Sequence, residues 1–177
     1  MKLETLRARL SRPQLVAIIS RLGTTEDSRL RELELAVDSG IFNISSLDPE
    51  VVARAFIKLQ TVGLNFTFHL TISQVSALIS RICHSPYLRL SELVLRNKYI
   101  SLVHPEVLVG AIQRLEVVRF KGGTMTGEQA TAILNIAKEN RLGRIKNIRI
   151  NRVAGMGSVS PSLLQEARLN SKLEWIV

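Results

Sequence analysis

Two interleaved sets of repeated residues constrain the fold of this chain more than any other feature. Three prolines recur every 56 residues: Pro49, Pro105 and Pro161. Three glutamines alternate with them, at intervals of 60 and 55 residues: Gln14, Gln74 and Gln129. Two such series predict two unit types, A and B, that alternate with a period of about 28 residues each.

Both unit types open with a helix start, by different chemistry. In the B units, a hydroxyl residue lies three positions before each glutamine: Ser11, Thr71 and Thr126. This spacing predicts a capping box, in which the hydroxyl and the glutamine satisfy backbone N–H groups reciprocally. In the A units, Asp48, His104 and Ser160 precede the prolines, which suit the first helical position because it needs no N–H donor.

A short L-x-x-L-x-L phrase separates the helices. It reads LRELEL from Leu30, LQTVGL from Leu59, LSELVL from Leu90, LEVVRF from Leu115 and IKNIRI from Ile145, with a shortened copy, LEWIV, from Leu173. The closing alternation of apolar and other residues is the signature of a half-buried strand. Each unit is therefore predicted to contain one strand and one helix.

Strand, loop and helix at this period resemble the leucine-rich repeat family, and the two alternating unit types resemble its ribonuclease-inhibitor-like class. The resemblance implies an α/β solenoid of about six repeats of ~28 residues in alternating A and B types, with parallel strands on a concave face and helices on a convex face. A single domain, 1–177, is expected. Its repeats are 1–29, 30–58, 59–89, 90–114, 115–144 and 145–172, with a partial strand at 173–177.

Charge is concentrated in one part of the chain. The whole sequence carries 24 Lys and Arg against 15 Asp and Glu, a net charge of +9. Residues 88–152 hold 12 of the cations and 5 of the anions, hence +7, whereas residues 1–87 hold 10 and 8, hence +2. The basic segment 88–152 therefore favours an acidic partner.

Cysteine usage and hydropathy exclude several classes of protein. Cys83 is the single cysteine, so no disulfide framework is expected. No apolar run approaches the roughly 18 residues of a membrane-spanning helix, and the N-terminal segment lacks the apolar core of a signal peptide. These features predict a cytoplasmic protein without a membrane partner.

No pattern indicates catalysis, a metal or a cofactor. Cys83 and His84 are adjacent, and neighbouring helical residues do not face each other. The other histidines, His69 and His104, fall in different units, without metal-ligand spacing. The segment Lys121–Thr124 lacks the order of a phosphate-binding loop and is predicted to be a turn. The chain is therefore predicted not to be an enzyme.

The outward-facing strand positions are the candidate partner-binding residues, because core packing does not dictate them. They are Glu32, Glu34, Glu92, Arg96, Arg119, Lys121, Asn147, Arg149 and Trp175. Their charge changes along the array, from acidic to basic. Other cations, such as Arg114 and Lys138, fall near helix C-termini, where they complement the helix dipole.

The leading hypothesis is a non-catalytic module that binds a protein with an acidic surface through its concave strand face. The fixed spacing of side chains on strands supports it, and the family resemblance implies the rest. The alternatives are binding of nucleic acid or another polyanion through 88–152, a solvated face without a partner, and a segment of a longer solenoid. Self-association is also predicted at the C-terminal edge, where Trp175 lies beside the apolar Leu173 and Ile176.

Overall fold

The computed structural model describes residues 5–9, 11–25, 32–36, 44–59, 61–63, 70–95, 98–121, 124–151, 159–169 and 173–176. Six α-helices follow one another within these ranges: α1 Arg12–Thr24, α2 Pro49–Ile57, α3 Ile72–His84, α4 Pro105–Gln113, α5 Gly127–Lys138 and α6 Pro161–Arg168. A 3-10 helix, Lys98–Leu102, precedes α4. Each α-helix contacts the next one along the chain, so the helices form one layer.

Short strands alternate with these helices and form one open sheet. The strands are β1 Thr5–Arg9, β2 Glu32–Ala36, β3 Thr61–Gly63, β4 Glu92–Leu95, β5 Val117–Lys121, β6 Asn147–Asn151 and β7 Leu173–Ile176. All pairings are parallel, and the strands follow chain order. Since crossovers between parallel strands are right-handed, helices that connect neighbours in this order lie on the same face of the sheet.

This architecture corrects the predicted fold class. Only three strands, β4, β5 and β6, have described side chains on the sheet, and they are four or five residues long, against six α-helices. A solenoid of about six leucine-rich repeats requires a leucine-lined strand layer in every unit. That prediction, with the terms solenoid, repeat protein and ribonuclease-inhibitor-like, is therefore wrong. The described chain is a small helix-rich α/β protein with one open parallel sheet.

The hydrophobic core explains why helices dominate this fold. Five strand residues belong to the described core cluster: Leu93, Val118, Phe120, Ile148 and Ile150. The rest of the cluster comes from helices and connections, including the fully buried Leu15, Ile19 and Leu78. Burial of this aliphatic surface between the helices and one sheet face supplies most of the driving force for folding.

The predicted capping boxes are present at the starts of α3 and α5. The Thr71 hydroxyl accepts the Gln74 N–H at 3.2 Å, and the Gln74 Oε1 accepts the Thr71 N–H at 3.0 Å. Thr126 and Gln129 make the same two bonds, at 3.1 and 3.0 Å. The short spacing between a hydroxyl residue and a glutamine was therefore sufficient to locate both helix starts.

The same two glutamines have a second role, which sequence analysis missed. Both side chains are buried, and each Nε2 group donates to two backbone carbonyls of an earlier connection. The acceptors are Ile44 and Leu47 for Gln74, both at 2.8 Å, and Ile100 and Val103 for Gln129, the first at 2.7 Å. Each glutamine thus joins the start of its own helix to the turn before the preceding helix, satisfying carbonyls that would otherwise be buried without a donor.

The proline-started helices differ in the quality of their caps. At α2, the Asp48 carboxylate accepts the N–H groups of Glu50 and Val51, at 2.8 and 3.1 Å. At α4, the equivalent residue is His104, which makes no side-chain hydrogen bond to the helix. The first turn of α4 therefore lacks a side-chain acceptor that α2 has.

We expect His104→Asp to raise the free energy of unfolding by about 1 kcal/mol, because a carboxylate at this position can cap α4 as Asp48 caps α2. Urea unfolding followed by circular dichroism measures the change. His84→Asp is the matched control, since His84 is exposed in the last turn of α3, where a negative charge opposes the helix dipole. An equal gain in both variants would contradict the capping explanation.

Candidate binding surface

Strand alternation in β4, β5 and β6 presents one set of side chains away from the helices. Leu93, Val118 and Ile148 point into the core, and the residues between them form the opposite surface. We call this surface the outer strand face. It consists of Glu92, Val94, Val117, Arg119, Asn147 and Arg149.

The parallel register arranges the outer strand face in two rows. Glu92, Val117 and Asn147 form the first row, and Val94, Arg119 and Arg149 form the second. Neighbouring strands lie about 4.8 Å apart, so side chains within a row are in reach of one another. The second row therefore places two arginines side by side on adjacent strands.

One ion pair crosses between the two rows. The Arg119 Nη2 lies 3.2 Å from the Glu92 Oε1, and the two side chains are 34% and 25% exposed. Glu92 precedes Val94, the register partner of Arg119, by two positions, so the arginine side chain must lie along the sheet surface to reach it. Val94 is only 4% exposed, although it belongs to the outer strand face and not to the core cluster.

The Arg119 guanidinium has one unsatisfied donor. Its Nε is buried and has no hydrogen-bond acceptor among the described residues. Arg81, at the end of α3, shows the alternative arrangement: its Nε and Nη2 both donate to the Glu50 Oε2, at 2.9 and 2.8 Å. Arg119 thus uses its Nη2 on a carboxylate and leaves its Nε without an acceptor, whereas Arg81 uses both groups.

Four of the nine predicted site residues come together on the outer strand face with described side chains: Glu92, Arg119, Asn147 and Arg149. For Glu32, Glu34 and Lys121, the structure describes the strand backbone only. The register places Glu32 in the row of Glu92, and Glu34 in the row of Arg119, on a strand two positions away from β4. Arg96 lies outside the described residues.

The register of β7 differs from the sequence-based alignment. Glu174 pairs with Arg149, and Trp175 pairs with Ile150, a buried core residue. The strand position beside Arg149 therefore belongs to Glu174, which corrects the predicted position of Trp175 on the outward row. The Trp175 side chain lies outside the described part of the structure, and self-association through this edge stays a prediction.

Cations outside the sheet mostly serve the fold, as the helix-dipole interpretation predicted for Arg114. Arg114 donates to the carbonyls of Ile82 at 3.1 Å, of Cys83 at 2.8 Å and of Ser85, at the C-terminus of α3. Lys58, 56 residues earlier, donates in the same way to carbonyls at the end of α1. The 56-residue period could have identified this pair, since each follows its proline by nine residues.

The connection between α5 and β6 contains a second charge cluster. The Lys146 Nζ lies 2.6 Å from the Glu116 Oε2, and the Arg144 Nη2 lies 3.3 Å from its Oε1. The hydrogen bond and charge of Lys146, with a smaller contribution from Arg144, lower the pKa of the Glu116 carboxyl below its ordinary value. Two cations of the basic segment are thus neutralised locally, which leaves the arginines of the outer strand face more important for any anionic partner.

Comparison with known proteins assigns no function to this arrangement. No family model matches the chain, and no curated protein matches it significantly. Within the described ranges, no cluster of His, Cys, Asp and Glu has the geometry of a metal site. In the same ranges, no helix has the length and apolar character needed to cross a membrane.

Proposed function

We propose that this chain is a non-catalytic binding module and that its outer strand face docks an acidic segment of another protein. The observation that carries the proposal is the position of Arg119 and Arg149, side by side on β5 and β6. Like charges directly opposite each other on paired strands are destabilising, and a carboxylate between them offsets that repulsion. The arrangement therefore favours an anionic ligand over water alone.

The support of the two arginines suits recognition. Both lie on strands whose inward residues, Val118, Phe120, Ile148 and Ile150, are buried in the core. Their backbone is thus held by the core before any partner arrives, which lowers the entropy cost of binding. The sequence around them, residues 88–152, carries 12 cations and 5 anions, a net charge of +7 that attracts acidic partners over a longer range.

Nucleic acid is the competing partner, because the same charge attracts phosphates. The outer strand face offers valines, an amide and charged groups, whereas proteins that bind single strands commonly stack bases on aromatic side chains. A carboxylate-bearing protein segment fits these residues better. The two partners also differ in the salt dependence of binding, which is steep for a polyanion.

We propose an intracellular location for this activity. Cys83 is the single cysteine of the chain, and the structure shows it as a free, partly buried thiol. Disulfide-stabilised domains are typical of oxidising compartments, and a lone thiol is typical of reducing ones. Fractionation of cells that express the chain with a tag, with compartment markers, tests this proposal.

Reversing both arginine charges, Arg119→Glu with Arg149→Glu, is expected to weaken binding of a fluorescein-labelled poly-glutamate peptide by about tenfold or more, because two attractive charges become repulsive. Fluorescence anisotropy measures the affinity, and circular dichroism checks the fold. The matched control is Arg54→Glu with Arg168→Glu, which makes the same charge change at exposed helix positions. We expect a loss of about twofold or less in the control.

Equal losses in the two double variants would contradict the proposal, since binding would then depend on net charge alone. Labelled poly-uridylate, measured at two salt concentrations, tests the competing function. Tighter binding of poly-uridylate than of the peptide, with a steep dependence on salt and the same sensitivity to Arg119 and Arg149, would favour the polyanion interpretation.

A further inference from the structure

We infer that Glu92 occupies, within the chain, the place that a partner's carboxylate takes in the complex. This inference rests on the proposed function and adds a regulating residue to it. In the unbound chain, the Glu92 Oε1 holds the Arg119 Nη2 at 3.2 Å. Glu92 therefore competes with an acidic partner for the same guanidinium.

The geometry of the ion pair shows that Glu92 satisfies Arg119 only in part. A charge-assisted N–H···O bond is commonly 2.7–2.9 Å long, and arginine prefers to bind a carboxylate through two donors at once. The Glu92 contact is longer, and the Arg119 Nε is buried with no acceptor in the described part of the chain. In the same protein, Arg81 reaches Glu50 through Nε and Nη2 together, at 2.9 and 2.8 Å.

The difference between the two arginines follows from where their acceptors lie. Glu50 and Arg81 stand on neighbouring helices, α2 and α3, and both side chains are about half exposed, so each can adjust to the other. Glu92 and Arg119 stand on adjacent strands in different rows, so Arg119 must extend along the sheet and approaches Glu92 with one end of its guanidinium. A carboxylate that arrives from solvent is not fixed to β4 and can align with both donors.

Exchange of Glu92 for a partner's carboxylate is energetically accessible. A partly exposed ion pair contributes little to stability, because water screens both charges. A buried donor without an acceptor is costly, and a rearrangement that supplies one recovers that cost. When Glu92 moves aside, Arg119 is released from the sheet surface, and its Nε becomes reachable beside Arg149. Glu92 thus reduces affinity for weak anions and favours partners that supply a carboxylate to both donors.

The test compares two substitutions that remove one negative charge from the basic segment. Glu92→Gln removes the competing carboxylate, and Glu106→Gln is the matched control, at an exposed position in the first turn of α4. With the poly-glutamate peptide and fluorescence anisotropy, we expect Glu92→Gln to tighten binding about three- to fivefold, as the loss of one partly exposed competing ion pair implies. We expect Glu106→Gln to change the affinity less than twofold.

The outcomes separate this inference from the proposed function. If Glu92→Gln and Glu106→Gln give the same affinity while the double arginine reversal still removes binding, the inference is overturned and the proposed function stands. A loss of affinity in Glu92→Gln also overturns the inference, because Glu92 would then help to hold the partner. If the double arginine reversal has no specific effect, both ideas fail together.

Discussion

Replacing Gln129 by alanine is expected to lower the free energy of unfolding by about 4 kcal/mol, a large fraction of the stability of a domain of this size. The side chain is 1% exposed and makes three hydrogen bonds. Its Oε1 accepts the Thr126 N–H at 3.0 Å, and its Nε2 donates to the carbonyls of Ile100 and Val103. Alanine removes all three bonds and supplies no substitute.

The expected size follows from the two kinds of bond that are lost. The capping bond is worth about 1 kcal/mol, because water can partly reach the exposed end of a helix. The two carbonyls lie in the connection before α4, where Ile100 and Val103 are themselves buried. Each buried carbonyl left without a donor costs roughly 1–3 kcal/mol. These two acceptors therefore account for most of the predicted effect.

Gln14→Ala is the matched control for Gln129→Ala. Gln14 occupies the same position of a capping box at α1, where its Oε1 accepts the Ser11 N–H at 2.8 Å, but its side chain is exposed. We expect a loss of about 1 kcal/mol there. Urea denaturation of both variants measures the difference. Equal losses would mean that capping accounts for the whole effect and that the buried carbonyl bonds contribute nothing.

The sequence predicted the helix starts because the determining contacts are local. Thr126 and Gln129 are three residues apart, so their reciprocal bonds follow from helix geometry alone. The bonds from Gln129 to Ile100 and Val103 cross 29 and 26 residues. Their formation depends on how the 3-10 helix packs against the start of α5, which no local pattern specifies.

The fold class shows the same boundary between local and global information. The phrases around Leu93, Val118 and Ile148 correctly located three strands and their buried residues. The period of about 28 residues was then extended to a complete leucine-rich-repeat solenoid, which the structure corrects. A repeated order of strand and helix fixes neighbour pairing, whereas the share of the core that strands or helices supply depends on packing over the whole layer.

The candidate site was predictable as a face but not as a geometry. Period-two alternation placed Glu92, Arg119 and Arg149 on one surface, as the register confirms. The diagonal ion pair and the buried Nε of Arg119 depend on side-chain rotamers, which sequence spacing does not determine. In β7, Leu173 was aligned with Ile145, but it pairs with Ile148, because apolar residues two or three positions apart fit more than one register.

The second large effect is expected at Gly23, in the last turn of α1. Gly23→Ala is predicted to lower the free energy of unfolding by about 3 kcal/mol, although alanine normally stabilises a helix by about 1 kcal/mol relative to glycine. An added Cβ would lie 2.2 Å from the Val51 carbonyl oxygen and 2.6 Å from its Cγ1. Both distances are far below van der Waals contact, so one helix must move.

The neighbour at Gly23 is hard to displace. Val51 lies in the first turn of α2, where the Asp48 carboxylate accepts its N–H at 3.1 Å. Two positions farther on, Val52 and Ala53 are fully buried in the core. A shift of Val51 would therefore disturb both the cap of α2 and its packing, and the glycine is required by the close approach of α1 and α2 rather than by its backbone angles.

Gly110→Ala separates this explanation from a general intolerance of alanine at helix contacts. Its added Cβ would lie 2.7 Å from the Cys83 Sγ, a side-chain atom that can rotate away, in contrast to a backbone oxygen. We expect a change of about 1 kcal/mol or less there, and Cys83→Ala in the same chain should remove any loss. Thermal and urea unfolding of the three variants provide the measurement. A Gly23→Ala variant as stable as the parent chain would show that α1 and α2 can separate without cost, and the tight contact between these helices would then not be a determinant of the fold.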